Sequence, residues 1–504
     1  MRTDAEDAST SLGSRRKANA RRWFDAALLL VAALAIAGWL FLSVAHARDR
    51  YHVLHVQGAW MTLAQYGDEG ILYPPLYDGE RYGGTRWMPI PILLNAGAAK
   101  LTGEYLLSGK IVGLVSTAVL LALVFLQLRR LSAPFPAAAA LTALIVATEP
   151  GLFAGTTVGG DVVPVVLQIG ALMIATSGGR RSLAAAGALA ALAFASKTTG
   201  VWAALAILSW LALARRWRDV ALFGGTFALG VGVLFAIVQT ASQGRFTENL
   251  AVLTLAGVGG GVGPIRAPNQ LLYQMYTYAG AIWLLIPFAF ASVLSEGRWR
   301  RPGMYDLALG WALVLLIVTY TDVGAGFNQL LDASVLTVIV AGHLAGRTVT
   351  TPVSAVPLGL VLTLAIVWGA GTGVVLVQGP DIRATLEGRQ LGYPVEPLAD
   401  IVGPGEEILS EDPYVPLSMG RDPVVLDPFM LLRLDRVDPA AVDELIQRIE
   451  DKRYTYLVMI TSLDRRNDYW WEQFHFGLRI VDAMRHAYVE EGRIDRYYVY
   501  RPAP

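Results

Sequence analysis

Cysteine is absent from all 504 residues, which excludes disulfides, thiolate metal sites and a cysteine nucleophile. Charge is scarce as well: Asp, Glu, Lys and Arg make up 16% of the chain and balance to a formal net charge of zero. Soluble domains carry roughly 25% charged residues, so an ordinary soluble protein is excluded, and no nucleic-acid partner is expected. No internal repeat at a solenoid period is present. The charged stretch that ends the chain has no glycine-rich phosphate-binding turn, so a nucleotide role there lacks support.

What the chain has instead is apolar length. Hydrophobic residues make up 54% of it, and many blocks approach the ~20 residues that cross a ~30 Å hydrocarbon core. Residues 1–23 are polar and end in the basic run Arg15 to Trp23, which reads as a cytoplasmic tail ahead of a first transmembrane helix, Phe24–Ala45. Further blocks lie at Leu106–Leu128, Ala133–Ala147, Val162–Ala175, Leu183–Ala195, Val201–Leu213, Val220–Val238, Tyr276–Leu294, Leu307–Thr319, Leu330–Leu344 and Val353–Val377. They give about eleven spans, several of them short enough to form hairpins that cross incompletely.

Every second connection carries arginines: Arg129 and Arg130, Arg180 and Arg181, Arg215 and Arg216, Arg298 to Arg301, Arg347. The basic turns therefore fall on one side, which predicts an inside N-terminus and an outside C-terminus. After the last block, residues 379–504 alternate helical and strand-like patterns. Strands are expected at EEILSED, PVVLD, YTYLVMI and RYYVYRP, with amphipathic helices at PAAVDELIQRIEDK and WWEQFHFGLRIVDAMRHAY. The fold class expected is an all-α polytopic membrane bundle, residues 24–378, followed by an extracytoplasmic α/β domain, residues 379–504.

The polar interval 46–91 stands apart. This first outer loop holds three of the six histidines, the acids Asp49, Asp68, Glu69, Asp78 and Glu80, and many aromatics. A short surface helix is expected near its end, around Ile90–Leu101. A second long outer connection, 241–270, is glycine-rich and carries Arg245, Arg266, Asn269 and Gln270.

The layout and three passages resemble the GT-C superfamily of integral-membrane glycosyltransferases, which includes protein mannosyltransferases and aminoarabinose transferases. The passages are LYPPLYDGERYGGTRWMPIPILLNAGAAKLTGEYLLSGKIVG, GDVVPVVLQIGALM, and AAAGALAALAFASKTTGVWAALAILSWLALARRW, with an outward Asp161 and an outward Lys197. The resemblance covers about residues 20–345. It implies sugar transfer from a polyprenyl-phosphate-linked donor to a hydroxyl of a glycan, lipid or protein acceptor, at the outer face of a prokaryotic-type cell membrane. Such chemistry needs a carboxylate beside the acceptor oxygen and cations or backbone donors on the departing phosphate.

By the resemblance, Asp49 is the first choice for the base, although RDRYH has one acid where relatives often have an adjacent pair. Asp68, Glu69, Asp78 and Glu80 are its rivals, and a cap or a pairing with Arg48 and Arg50 is the plain alternative. His52 and His55, three apart, would share a helix face. They are expected to shape the acceptor or sugar pocket, while a divalent cation such as Mg or Mn is used by some superfamily members. Asp161 is a second catalytic candidate; its plain alternative is a helix cap. Lys197 needs a counter-charge, from a lipid phosphate or from Asp161. Glu80, Tyr82, Arg245 and Arg266 complete the expected substrate contacts. Two competing readings are a lipid or glycan transporter or flippase, disfavoured by polar groups gathered at outer span ends, and a non-catalytic glycolipid-binding subunit of the same architecture.

Overall fold

A computed structural model describes residues 3–51, 54, 56–255, 263–295, 297–322, 324–347, 356–403 and 405–504. Helices dominate, in chain order α1 Thr3–Arg48, α2 Val56–Asp68, α3 Pro89–Thr102, α4 Tyr105–Arg130, α5 Phe135–Val146, α6 Glu149–Thr156, α7 Val162–Ala175, α8 Arg180–Ser196, α9 Trp202–Leu213 and α10 Trp217–Ala241. There follow α11 Arg245–Leu255, α12 Ala267–Tyr278, α13 Gly280–Trp283, α14 Ile286–Ser295, α15 Met304–Thr319, α16 Leu331–Arg347, α17 Val356–Gly373 and α18 Gly379–Leu386. The C-terminal part holds α19 Glu396–Ala399, β1 Ile408–Ser410, α20 Tyr414–Ser418, α21 Pro428–Val437, α22 Ala440–Glu450, β2 Tyr456–Met459, α23 Asp468–Gln473, α24 Leu478–Ala487, β3 Tyr488–Ile494 and β4 Tyr497–Pro502.

Each of the eleven apolar blocks, as far as it is described, falls on a helix or on a bent pair of helices, residues 353–355 of the last lying outside the described residues. Among the described residues, five helices are long and apolar enough to cross a bilayer, and counting each bent pair as one span makes seven. This is a multi-pass membrane protein. Further apolar helices α7, α9 and α15 are shorter, at 14, 12 and 16 residues. One pair, α5 and α6, bends by 73°; the other, α12 with α13 and α14, bends by 106°, where the sequence predicts a single run over Tyr276–Leu294. The break lies at Ala279, between Tyr278 and Gly280. The tail expected to be merely polar is helical from Thr3 and continuous with the first span.

The bundle core is built from alanine, leucine and valine of α1, α4, α5, α7, α8, α9, α15 and α16. Small residues set the approach of the helices. A side chain at Gly373 would run into the backbone of Ala147, and one at Gly113 into the carbonyls of Ala154 and Thr157, which is the close packing that membrane helices use in place of a hydrophobic drive. Between α17 and α18 the chain makes a π-turn, Val374–Gln378. There the Gln378 amide donates to the carbonyls of Ala35 and Val146, both at 3.0 Å. By contrast, α10 fully buries only Phe223 and Val238; it packs on α8 and α9 along one side and leaves the other exposed.

The C-terminal sheet has strand order β1-β2-β4-β3, with β1 and β2 parallel and the other pairs antiparallel. Four expectations need correction or extension, three of them there. PVVLD joins no sheet strand; instead Val425 makes an isolated bridge with Tyr82 of the first loop. The second amphipathic helix is split into α23 and α24 by Phe476 and Gly477, both in left-handed backbone (φ 60° and 93°), a conformation glycine adopts at little cost. Strand β3 was not foreseen. Nor was α11, which occupies part of the connection read as a glycine-rich loop.

Candidate functional site

The first loop and the C-terminal part are clamped together over the bundle. Tyr82 donates its amide to Val424 O at 2.8 Å and accepts from the Leu426 amide at 2.9 Å, and its hydroxyl donates to Ala441 O. Arg448 reaches the carbonyls of Gly79 and Glu80 together with Glu444 and the Tyr77 hydroxyl, and Arg81 pairs with Asp422 and Asp78. Tyr82 is buried and Glu80 exposed. Tyr82 and the backbone carbonyl of Glu80 thus help to hold the loop to the C-terminal part.

Beneath the clamp lie two clusters of charge. The first is built on the N-terminus of α7. Asp161 precedes that helix and receives Lys197 Nζ on Oδ1 at 2.6 Å and Asn328 Nδ2 on Oδ2 at 2.8 Å. Asp161 thus supplies one of the two counter-charges expected for Lys197. Both side chains keep about a fifth of their surface exposed, 18% for Lys197 and 21% for Asp161. Close by, Asp332 accepts the Trp202 indole N–H at 2.9 Å. Trp60 and Pro91 pack over Gly160, and Trp60 stacks on Trp87 with ring centroids 4.3 Å apart.

The second cluster joins Asp322, one of the polar residues that the sequence gathers at an outer span end with Asn328, Gln329 and Asp332, to two arginines that were not foreseen. Asp322, in the connection between α15 and α16, accepts Arg86 Nη1 on Oδ2 at 2.8 Å and Arg433 Nη2 on Oδ1 at 2.6 Å. Both guanidiniums also lie over the Phe429 ring, at 5.5 and 4.6 Å from its centroid. Burial alone would raise the Asp322 carboxyl, but the two arginines hold it below the ordinary carboxylate range. Burial likewise pulls Arg433 below its usual value. Arg433 comes from α21, capped by Asp427, whose Oδ1 accepts the amides of Phe429 and Met430.

Helix α11 braces both arginines. Asn249 on it accepts the Thr85 amide at 2.7 Å and donates to Pro74 O, fixing the loop beside Arg86. Its Leu253 carbonyl accepts from Arg433 Nη1 at 3.3 Å. Arg245 opens α11, with Nε donating to Ser242 O at 2.9 Å. Arg266 is exposed just ahead of α12. The segment 320–330 links the two clusters, since Asp322 touches the arginines and Asn328 touches Asp161.

Asp49 follows α1. Its Oδ1 accepts the Tyr51 amide and its Oδ2 the Gly392 amide, both at 3.1 Å. Buried Lys110 donates to the carbonyls of His46, Asp49 and Tyr51 at 2.7 to 2.9 Å, so this corner is tightly fixed backbone. His52 and His55 lie outside the described residues. Among the described residues no group of three or more His, Asp or Glu converges as a metal site requires, and both Asp161 oxygens are already engaged.

A small apolar hollow begins two residues after Arg86 in the chain, lined by Met88, Pro89, Phe194, Val231, Phe235 and Phe246. Its walls come from α3, α8, α10 and α11.

Arg86 stands in one of the passages quoted for the family resemblance, yet it is one of several arginines in that loop. Arg433 lies in a helix of the C-terminal part with no local signal for a site. Only the tertiary fold reveals them as a pair.

No family model matches the sequence, and no curated protein matches it. Solved structures do. The crystal structure of ArnT from Cupriavidus metallidurans bound to undecaprenyl phosphate superposes with a TM-score of 0.59 at 13% identity, covering 94% of this chain and 97% of that one. The oligosaccharyltransferase of Archaeoglobus fulgidus in the apo form gives 0.57 at 12% identity, covering 95% of this chain and 74% of that one. The chain therefore shares the fold of these two proteins over nearly its whole length.

Proposed function

We propose that the protein transfers a sugar from a polyprenyl-phosphate-linked donor to an acceptor hydroxyl at the outer face of the cell membrane, with the basic connections inside and residues 379–504 outside. The observation that carries this reading is the junction at residues 86–89. Arg86, paired with Arg433, offers guanidinium donors to a phosphate, while Met88 and Pro89, two and three residues further on, edge a small apolar hollow against which a lipid tail would lie. Undecaprenyl phosphate in the ArnT structure supports the same ligand class here.

Asp161 is the base in this reading. It would take the acceptor hydroxyl proton as the new glycosidic bond forms and the bond from the sugar to the phosphate oxygen breaks. Lys197 and Asn328 hold its two oxygens in place, and the arginine pair would stabilise the departing lipid phosphate. Asp49 is the alternative base; its two backbone hydrogen bonds suit it equally to anchoring the end of α1.

The test is transfer of radiolabelled sugar from polyprenyl-phosphate donors in membranes holding the protein. Asp161→Asn should lower transfer by about 100-fold or more, as expected for loss of a general base, and Arg86→Gln should weaken donor binding. Unchanged transfer in Asp161→Asn with a large loss in Asp49→Asn would reassign the base. No transfer from any such donor by the unaltered protein would reject the reading.

A further inference from the structure

Asp322 divides its two oxygens between two guanidiniums. Oδ2 takes Arg86 and Oδ1 takes Arg433, with the Gly324 amide also donating to Oδ1 at 3.0 Å. This is the arrangement a phosphate would make with the same two arginines, one oxygen to each. The three groups differ in freedom. The Arg433 side chain is 4% exposed, and its Nε is buried without a hydrogen-bond partner among the described residues. Asp322 and Arg86 are each about a quarter exposed, at 25% and 26%. Asp322 also stands outside helix and strand. The other acid nearby, Asp427, has its Oδ1 committed to the amides of α21.

We infer that Asp322 is a stand-in for the ligand, a carboxylate that satisfies Arg86 and Arg433 until an anionic phosphate displaces it. The inference rests on the donor reading given above and adds to it a built-in competitor, delivered by the segment that also carries Asn328 to Asp161. A buried cation such as Arg433 cannot be left unpaired without a large penalty. Asp322 meets that requirement in the empty site and sets a threshold that only an anion can pass. A neutral prenol would not release it. The apparent affinity for the phosphate is then reduced by the fraction of molecules in which Asp322 holds the pair.

The experiment uses the full chain in detergent, titrated separately with undecaprenyl phosphate, inorganic phosphate and neutral undecaprenol. Asp322→Asn should bind undecaprenyl phosphate about tenfold tighter than the unaltered protein, as removal of a competitor held nine times in ten would give. Adding Arg433→Gln to that variant should abolish the gain, and undecaprenol should show no change. Equal or weaker phosphate binding by Asp322→Asn would overturn the inference and make Asp322 a positioning group. Tightening seen with inorganic phosphate but no binding of the lipid would keep the displacement and reject the donor reading. Binding of neither phosphate source by either protein would overturn the inference as well. The unaltered chain provides a check independent of the folding of any variant: hydrogen exchange at the Gly324 amide should quicken when phosphate ligand is bound. Unchanged or slower exchange there would mean that Asp322 stays in place.

Discussion

At Lys197 an ammonium and a carboxylate meet at 2.6 Å where both remain about one-fifth exposed. Removing one partner of a buried pair costs about 3–5 kcal/mol, because the other charge is left without compensation; partial exposure brings the expectation here to about 2 kcal/mol. Asp161→Asn and Lys197→Met should each lower stability by about that much, while the double variant should lose less than the sum. Melting curves of the four proteins in one detergent check this, and strict additivity would mean that the two charges do not rely on each other. Asp322 carries a pH dependence. Its carboxyl lies below the ordinary range in the folded chain, so its contribution is present above the unfolded carboxylate value of about 3.9 and is lost as pH falls through the lowered value. The melting difference between the unaltered chain and Asp322→Asn should shrink when pH drops below about 4. Asp161 and Lys197 were legible in the sequence because each is a lone charge between apolar runs. Arg86 was one of several arginines in its loop, and Asp322 gained meaning only when Arg433 reached it from 111 residues away.

Helix α21 is the element that brings the C-terminal part into the site, and its first turn depends on Asp427. Burial raises the Asp427 carboxyl, so the ionised form is costly there, whereas the cap itself needs only an oxygen to accept the amides of Phe429 and Met430. Asp427→Asn keeps that oxygen and removes the charge; it should leave stability unchanged or slightly higher. Asp427→Ala should cost about 1 kcal/mol, the usual loss of a helix cap. Chemical denaturation of the two variants beside the unaltered chain measures the difference, and equal losses would show that charge rather than capping matters. Helices α1, α4 and α10 could be read from sequence because an apolar run of their length has one stable outcome in a bilayer. The 106° turn after Tyr278 could not, since hydropathy reports length and says nothing of direction. Helix α11 was concealed by the glycines that follow it, and what reveals its role is Asn249 bonding to a loop 164 residues earlier.

For the molecule as a whole, the distribution of arginines predicts which ends of the helices share a side. The clamp between first loop and C-terminal part makes the same demand independently. Tyr82, Arg81 and Arg448 tie residues 77–82 to residues 422–448, so the two must lie on one face of the membrane. The lack of cysteine turns this into a clean experiment, because any cysteine introduced is the only thiol in the chain. Single substitutions at the exposed positions Glu80, Arg266 and Glu491 should react with a membrane-impermeant thiol reagent added to intact cells. Those at Arg181 and Arg300, also exposed, should react only after permeabilisation. Reaction of Glu80→Cys and Glu491→Cys from opposite sides would contradict the clamp itself. Reaction of Arg181→Cys from outside would invert the orientation, placing the arginine pair and Asp161 on the cytoplasmic face, where the donor and acceptor would have to be sought instead.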